Sequence, residues 1–437
     1  MASMDGSIVN VALPSIRAQL AVGGAQIQLV TASYLVAFAA VVVAAARLGD
    51  RHGHARMFRL GLAGFTLASF ACGLAPDAYT LIVARLIQGA AGAMLVAQVV
   101  SLIQLSFQAA ARTTAIAFYS LVLALAVAAG QIVGGAIVSA DLAGLGWRPI
   151  FLVNLPAGVV LLVMSGRLPA AETFRPIRRL DLAGATVLAL SAAAVVGPLS
   201  IGRQQGWPLW SWAVLVAGVA GVVGFVSHEV RVIRNGGEPL LDLRALRPPG
   251  VLPGLIACFL VMGVYTVFLF TLTQYLQNGL DFTPWQAGLT FVPFAVGFAT
   301  VSRAWTRLPG SVSRWLPVAG PIAFAAGITA TAALSVDRWP TPAAVVLLAV
   351  AGAGHAASFS PLFARVSGLL EARFASALSA LANTGTLLAG AVAVAGLGGV
   401  YLSSATAHSG LIHVVLAADA LLAVTAAGAG WTVTRPS

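Results

Sequence analysis

The sequence contains no lysine: all 24 of its basic residues are arginine, set against 13 acids in 437 residues. Charge of either sign is scarce, at 8% of the chain, while hydrophobic residues make up 59% and the mean hydropathy is +0.94. A soluble domain carries roughly 25% charged residues, so this chain has lipid for most of its solvent. That excludes a water-soluble enzyme and a nucleic-acid module. Cysteine is nearly missing, and Cys72 and Cys258 each sit in an apolar run, which excludes a disulfide scaffold. Catalytic signatures are missing too. There is no HExxH, nucleophile elbow or P-loop, so neither an enzyme nor direct driving by ATP is expected. His52 and His54 form a pair without a third ligand nearby, so no metal and no other cofactor is expected.

What is present is a series of apolar runs long enough to cross a bilayer, about 20 residues each. Breaks marked by charge, proline and glycine predict spans at 27–46, 57–75, 79–105, 113–139, 149–165, 182–201, 210–230, 251–277, 285–301, 315–335, 342–363, 375–402 and 412–433. The first twenty residues read as the second half of one further helix. Because Asp5 lies so close to Met1, a native start some 10–20 residues upstream is expected. The longest polar connections, 166–181 and 231–250, bracket two helices. The predicted organisation is therefore an N-terminal six-helix half (1–166, first helix incomplete), a central pair with its linkers (167–250), and a C-terminal six-helix half (251–437).

The net charge of +11 is a statement about topology. Counting the partial segment as the first helix, nineteen arginines fall on one set of alternate loops and the tail. Arg17, Arg148, Arg203 and Arg338 fall on the other set, and Arg85 alone lies within a span. This bias places both termini in the cytoplasm.

Several motifs then carry a family resemblance. They are Asp5 followed by Ile8-Val9-Asn10-Val11-Ala12-Leu13-Pro14, the loop Ala46-Arg47-Leu48-Gly49-Asp50-Arg51-His52-Gly53-His54-Ala55-Arg56, and Arg85-Leu86-Ile87-Gln88-Gly89. Gly130-Gln131-Ile132-Val133-Gly134-Gly135 follows, then Trp147-Arg148-Pro149-Ile150-Phe151-Leu152-Val153-Asn154, and finally Gln274-Tyr275-Leu276-Gln277 with Thr283-Pro284-Trp285-Gln286-Ala287-Gly288. In this order they resemble the 14-helix drug:proton antiporter branch of the major facilitator superfamily. The loop resembles that family's G-x-L-A-D-R-x-G-R-R, and the glycine cluster its antiporter motif, with Gln131 where the family has proline.

The resemblance implies an all-α polytopic fold of two six-helix halves plus a central pair. An acid and an arginine within apolar runs read as a proton site on Asp5 modulated by Arg85, the alternatives being a static ion pair or an Asp5 near the surface. Asp50, Arg51, Gly53 and Arg56 would form a conformational latch, with a partner region near Glu371–Ser376, or else an ordinary solvated loop. Gly130, Gly134 and Gly135 would serve an antiport bend or plain close packing. Tyr34, Gln98, Gln104, Tyr119, Tyr265, Gln274 and Asn383 are candidates for lining a substrate cavity. Asp419 and His355, each within a span, are expected to be packed and hydrogen-bonded, with a coupling role as the alternative.

The expected function is proton-coupled efflux of drugs or antibiotics across the bacterial cytoplasmic membrane by alternating access. The alternatives are export of an amino acid, sugar, lipid or other metabolite, and a non-transporting receptor or scaffold. The expected partners are a small amphipathic substrate, protons and the lipid bilayer, with no nucleic acid, and a monomer is expected. The orientation is directly testable. Single cysteines within 175–179 and 231–247 should resist an impermeant thiol reagent on intact cells, while those at Asp281 and Asp337 should label; labelling of the arginine loops overturns the topology.

Overall fold

The computed structural model describes residues 1–22, 24–141, 144–166, 182–202, 205–237, 239, 241–335, 339–404 and 406–434. The predicted linker arginines Arg167, Arg175, Arg178 and Arg179, together with Arg203, Asp337, Arg338 and Arg435, lie outside the described residues. The helices of the first part of the chain are α1 (Ala2–Leu20), α2 (Gly24–His52), α3 (His54–Gly73), α4 (Ala78–Ser106), α5 (Ala109–Ala140), α6 (Pro149–Leu152), α7 (Asn154–Ser165), α8 (Leu182–Ile201) and α9 (Leu209–Arg234). They continue as α10 (Val251–Gln274), α11 (Pro284–Thr290), α12 (Val292–Ala304), α13 (Gly310–Ser313), α14 (Leu316–Leu334), α15 (Thr341–Gly368), α16 (Ala375–Ser403) and α17 (Ala407–Thr434).

Helix is what lipid demands, because every backbone N–H and C=O must find its partner inside the segment. Among the described residues there is no strand, and nine helices are long and apolar enough to cross a membrane. Several predicted spans are broken where the local chemistry requires it. The expected span 285–301 is divided between α11 and α12, and Pro293, which has no N–H to donate, stands in the first turn of α12. Thr283 and Gln286 form a reciprocal cap at the start of α11, with Pro284 in its first turn. After α10 the coil widens to a π-turn over Tyr275–Gly279, within the Gln274–Gln277 motif, and the Tyr275 hydroxyl donates to the Ser335 carbonyl. Only Gly53 separates α2 from α3. Its φ of 92° lies in the region that favours glycine, and it takes part in both helices, donating to Gly49 O at 2.8 Å and accepting from Met57 N–H at 3.0 Å.

The chain forms two compact units. The first comprises Met1–Ser106, Ala140–Arg247 and Leu370–Leu387; the second comprises Phe107–Ser139, Pro248–Leu369 and Leu388–Ser437. In the first unit α2 packs on α3, α4 and α8, α3 packs on α4 and α7, and the central helices α8 and α9 pack together. In the second, α14 packs on α15 and α17, α12 on α15, and α10 on α15 and α17. Apolar tails of lipid supply no hydrophobic drive between helices, so these contacts depend on close backbone approach over small residues. Gly89 is the sharpest case in the first unit: a Cβ there would lie 2.3 Å from Tyr34 O of α2.

This makes a packing prediction. Gly89→Ala should force α2 and α4 apart and cost about 1–3 kcal/mol, read as a lower Tm in detergent. Gly6→Ala, where a Cβ meets nothing within 4 Å, is the matched control. Equal Tm values for the two variants would contradict the packing.

Candidate functional site

Three of the sequence motifs converge on one carboxylate. Asp5, in the first turn of α1, is 0% exposed, and Arg85 on α4 is 1% exposed. Arg85 Nη1 donates to Asp5 Oδ2 in a short ion pair. Asp5 Oδ1 accepts from Gln88 Nε2 at 2.9 Å and from Asn154 Nδ2 at 3.1 Å. Arg85 and Gln88 are three residues apart on α4 and so share a face, and Arg85 Nη1 also donates to Gln88 Oε1 at 2.7 Å. Asn154 is delivered by the chain break between α6 and α7, where it becomes the first residue of α7. Gln88 Nε2 reaches Ser69 of α3 as well, at 2.8 Å.

The cation is enclosed as thoroughly as the anion. Arg85 Nε donates to Val30 O at 3.3 Å, and its guanidinium carbon lies 4.3 Å from the Tyr34 ring centroid and 5.7 Å from that of Phe151. Phe151 is itself wedged edge-on against buried Trp147, with centroids 5.9 Å apart. Every named contact to the Asp5 oxygens is a donor, so the pocket is built for an anion that can lose its charge only by taking a proton. Asn154 Oδ1 is buried with no hydrogen-bond partner among the described residues, an acceptor open to an incoming donor.

The profile of the Major Facilitator Superfamily matches residues 1–394. The chain belongs to the major facilitator superfamily. A Streptomyces coelicolor protein named a probable actinorhodin transporter is 39% identical over 300 residues, covering 67% of this chain and 51% of that protein. The methylenomycin A resistance protein of the same organism is 33% identical over 318 residues, covering 72% of this chain and 64% of that one. The chain thus spans about half to two-thirds of the length of these relatives. The human organic anion transporter MFSD10 superposes with a TM-score of 0.65 at 13% identity, covering 98% of both chains, which supports the fold alone. Superfamily membership together with the apolar helices makes this a multi-pass membrane protein.

The superfamily's loop motif is assembled differently from expectation. Asp50 pairs with Arg47 at 3.2 Å and with the His54 ring at 3.3 Å, whereas Arg51 and Arg56 are exposed. The reason is helical geometry: Arg47 precedes Asp50 by three residues on α2, on the same face, while Arg51 is turned about 100° away. Arg47 also donates to the Pro239 carbonyl, and Asp242 nearby is held by Arg244. Glu371, in the expected partner region, is exposed and paired with Arg373 at 2.9 Å.

The cavity candidates take separate places. Tyr34 covers Arg85. Gln98 is fully buried and bonded to His54 at 2.8 Å, which makes it part of the motif's framework. Gln104 is buried, Tyr119 and Gln274 are half-buried, and Asn383 donates to Ser379 O at 2.8 Å. Gly130, Gly134 and Gly135 are buried on α5, where Gly288 of α11 comes close: a Cβ there would lie 2.9 Å from Gln131 O.

In the second unit Asp419 Oδ2 accepts from Thr329 at 2.5 Å, so one oxygen is hydrogen-bonded as expected, while buried Oδ1 has no partner. His355 departs from expectation. It is packed among Tyr265 at 4.4 Å, Phe298 at 4.9 Å and Phe324 at 5.4 Å, with both ring nitrogens buried and without hydrogen-bond partners among the described residues. It behaves as one more ring in an aromatic stack.

Removing one member of a buried ion pair leaves an uncompensated charge and costs about 3–5 kcal/mol. Asp5→Ala should therefore lower Tm severely, and adding Arg85→Gln should recover part of the loss. Additive losses in this double-mutant cycle would mean that the two charges are not energetically coupled.

Proposed function

We propose that this chain exports small amphipathic molecules of the antibiotic kind, coupled to inward proton movement through Asp5. The observation that carries the reading is a carboxylate buried within the first unit, held by Arg85, Gln88 and Asn154 and able to exchange its charge only for a proton. A carboxylate or arginine deep in a bilayer costs about 2.5–3.5 kcal/mol by insertion scales, and such groups characteristically mark ion or substrate pathways. The names of the two Streptomyces relatives, one a probable actinorhodin transporter and one a methylenomycin A resistance protein, support the substrate class.

The residues suggest how coupling works. When Asp5 is ionised it holds Arg85 and both amides. When it takes a proton, Arg85 keeps Gln88 Oε1, Val30 O and the Tyr34 face, while Asn154 becomes free to bind elsewhere. A substrate donor reaching Asp5 and Asn154 Oδ1 would compete with that proton, which is the exchange an antiporter needs. One proton moving down 100 mV supplies about 2.3 kcal/mol, roughly a fifty-fold gradient of a neutral solute. The reading takes alternating access between the two six-helix halves at 1–166 and 251–437, with both termini in the cytoplasm and the protein acting as a monomer in the cell membrane.

A resistance panel in an efflux-deficient host identifies the substrate. With that substrate, Asp5→Asn should abolish uphill, pH-driven export at matched membrane expression, since the amide keeps the shape and loses the titration. Undiminished export by the variant would remove Asp5 from the coupling and turn attention to Asp419.

A further inference from the structure

His54 opens α3, is 5% exposed, and has a different oxygen at each ring nitrogen. Nδ1 is 2.8 Å from Gln98 Oε1 and Nε2 is 3.3 Å from Asp50 Oδ1. The Gln98 amide cannot be turned round, because its Nε2 already donates to Ala45 O at 2.9 Å and to Met94 O at 3.2 Å. Both ring nitrogens therefore face acceptors. A neutral imidazole carries one N–H and would turn a lone pair toward one of the two oxygens; only the imidazolium satisfies both.

The space for this contact is made by Gly49. A Cβ there would fall 2.0 Å from Gln98 Oε1 and 2.4 Å from His54 Nδ1. The loop motif that this segment resembles has alanine at the position of Gly49 and a permanently charged arginine at that of His54. The two departures fit one another: the side chain removed at 49 clears the way for a histidine at 54 to bond through to α4.

We propose that His54 is a proton-binding site that ties the α2–α3 turn to α4. With the proton bound, Asp50, His54 and Gln98 form one continuous chain of charge-assisted hydrogen bonds. When the proton leaves Nε2, the lone pair opposes Asp50 Oδ1, and Asp50 falls back on Arg47. The charges around His54 act in both directions. Arg47, Arg51 and His52 on α2, and Arg56 and Arg59 on α3, oppose a further positive charge. Asp50, at contact distance and 18% exposed, favours it, with Asp242 beyond Arg47. The helices α6 and α7, which also pack on α3, carry no titratable side chain, and α4 offers only the Gln98 amide at this end. The Asp50 carboxylate beside Nε2 favours the charged ring, while burial of the ring opposes it. The tie is present while the ring holds its proton and is lost as pH rises through its midpoint. Its meaning for export rests on the function proposed above, with this end facing the cytoplasm; the proton binding itself does not.

The test is a pH titration of the full chain, labelled with [15N]histidine and held in detergent, following the ring nitrogens by NMR. Six histidines are present, and His54→Gln assigns the resonance. Both His54 nitrogens should be protonated at pH 6, and Asp50→Asn should lower the midpoint of the titration. A His54 ring carrying a single proton at pH 6, or a midpoint unmoved by Asp50→Asn, would overturn the proposal. The wild-type titration decides the matter even if a variant folds poorly. Because the resonances report proton binding with or without transport, a chain that fails to export contradicts the function proposed above and leaves this result standing. In an exporting chain, His54→Arg should flatten the pH profile of transport on the same side; a profile parallel to wild type would deny the site its role there.

Discussion

A carboxylate and a guanidinium buried beside one another impose more on this chain than any other pair of groups. Neither Asp5 nor Arg85 can remain ionised in an apolar surrounding without its partner and without donors or acceptors for the remaining valences. Four segments are arranged to supply them, and α2 adds the Val30 carbonyl as a fifth. The first turn of α1 brings the acid, α4 brings Arg85 and Gln88 on one face, α3 contributes Ser69, and the break before α7 brings Asn154. The aromatic rings of Tyr34 and Phe151 cover what the hydrogen bonds leave open.

Close approach between helices follows from the same need. For Arg85 to reach both Val30 O and Asp5, α4 must lie against α2 at backbone distance, and the glycine that ends Arg85–Gly89 sits at the point where a side chain would meet Tyr34 O. The arginine, the glutamine and the glycine of that short motif thus have three separate tasks: charge, bridging and clearance. The loop after α2 repeats the logic at the helix ends. There Gly53 turns the chain, Gly49 gives clearance, and Asp50 gathers Arg47 and His54.

Much of this was legible in the residues. An acid and an arginine within apolar runs have few options besides meeting, so Asp5 and Arg85 could be paired from the sequence, and the motif order pointed to the fold. The amides were harder to place. Gln88 and Asn154 carry no charge to betray a need for a partner, although the spacing of Arg85 and Gln88 on one helical face was a usable signal. Gln98 could not be separated from a cavity-lining residue, because the rotation of a uniformly apolar helix about its axis leaves no mark on its sequence. Arg51 and Arg56 drew attention through the motif, yet one partner of Asp50 is Arg47, three residues before it on α2, which helical periodicity could have picked out, and the other is His54, brought back by the turn at Gly53. The breaks at Phe291 and Val153 lay inside runs that read as continuous spans. His355 illustrates the opposite limit: a polar residue in a span invited a polar role, and packing among Tyr265, Phe298 and Phe324 makes it a ring among rings.

The central claim is that Asp5 exchanges a proton for substrate. It is tested most directly by adding the identified substrate to detergent-solubilised protein in weakly buffered solution and following pH with a dye. Substrate should release protons from the wild-type chain, and Asp5→Asn should release none while still binding substrate. Equal proton release from wild type and Asp5→Asn would contradict the account, because the exchanging group would then lie elsewhere in the protein.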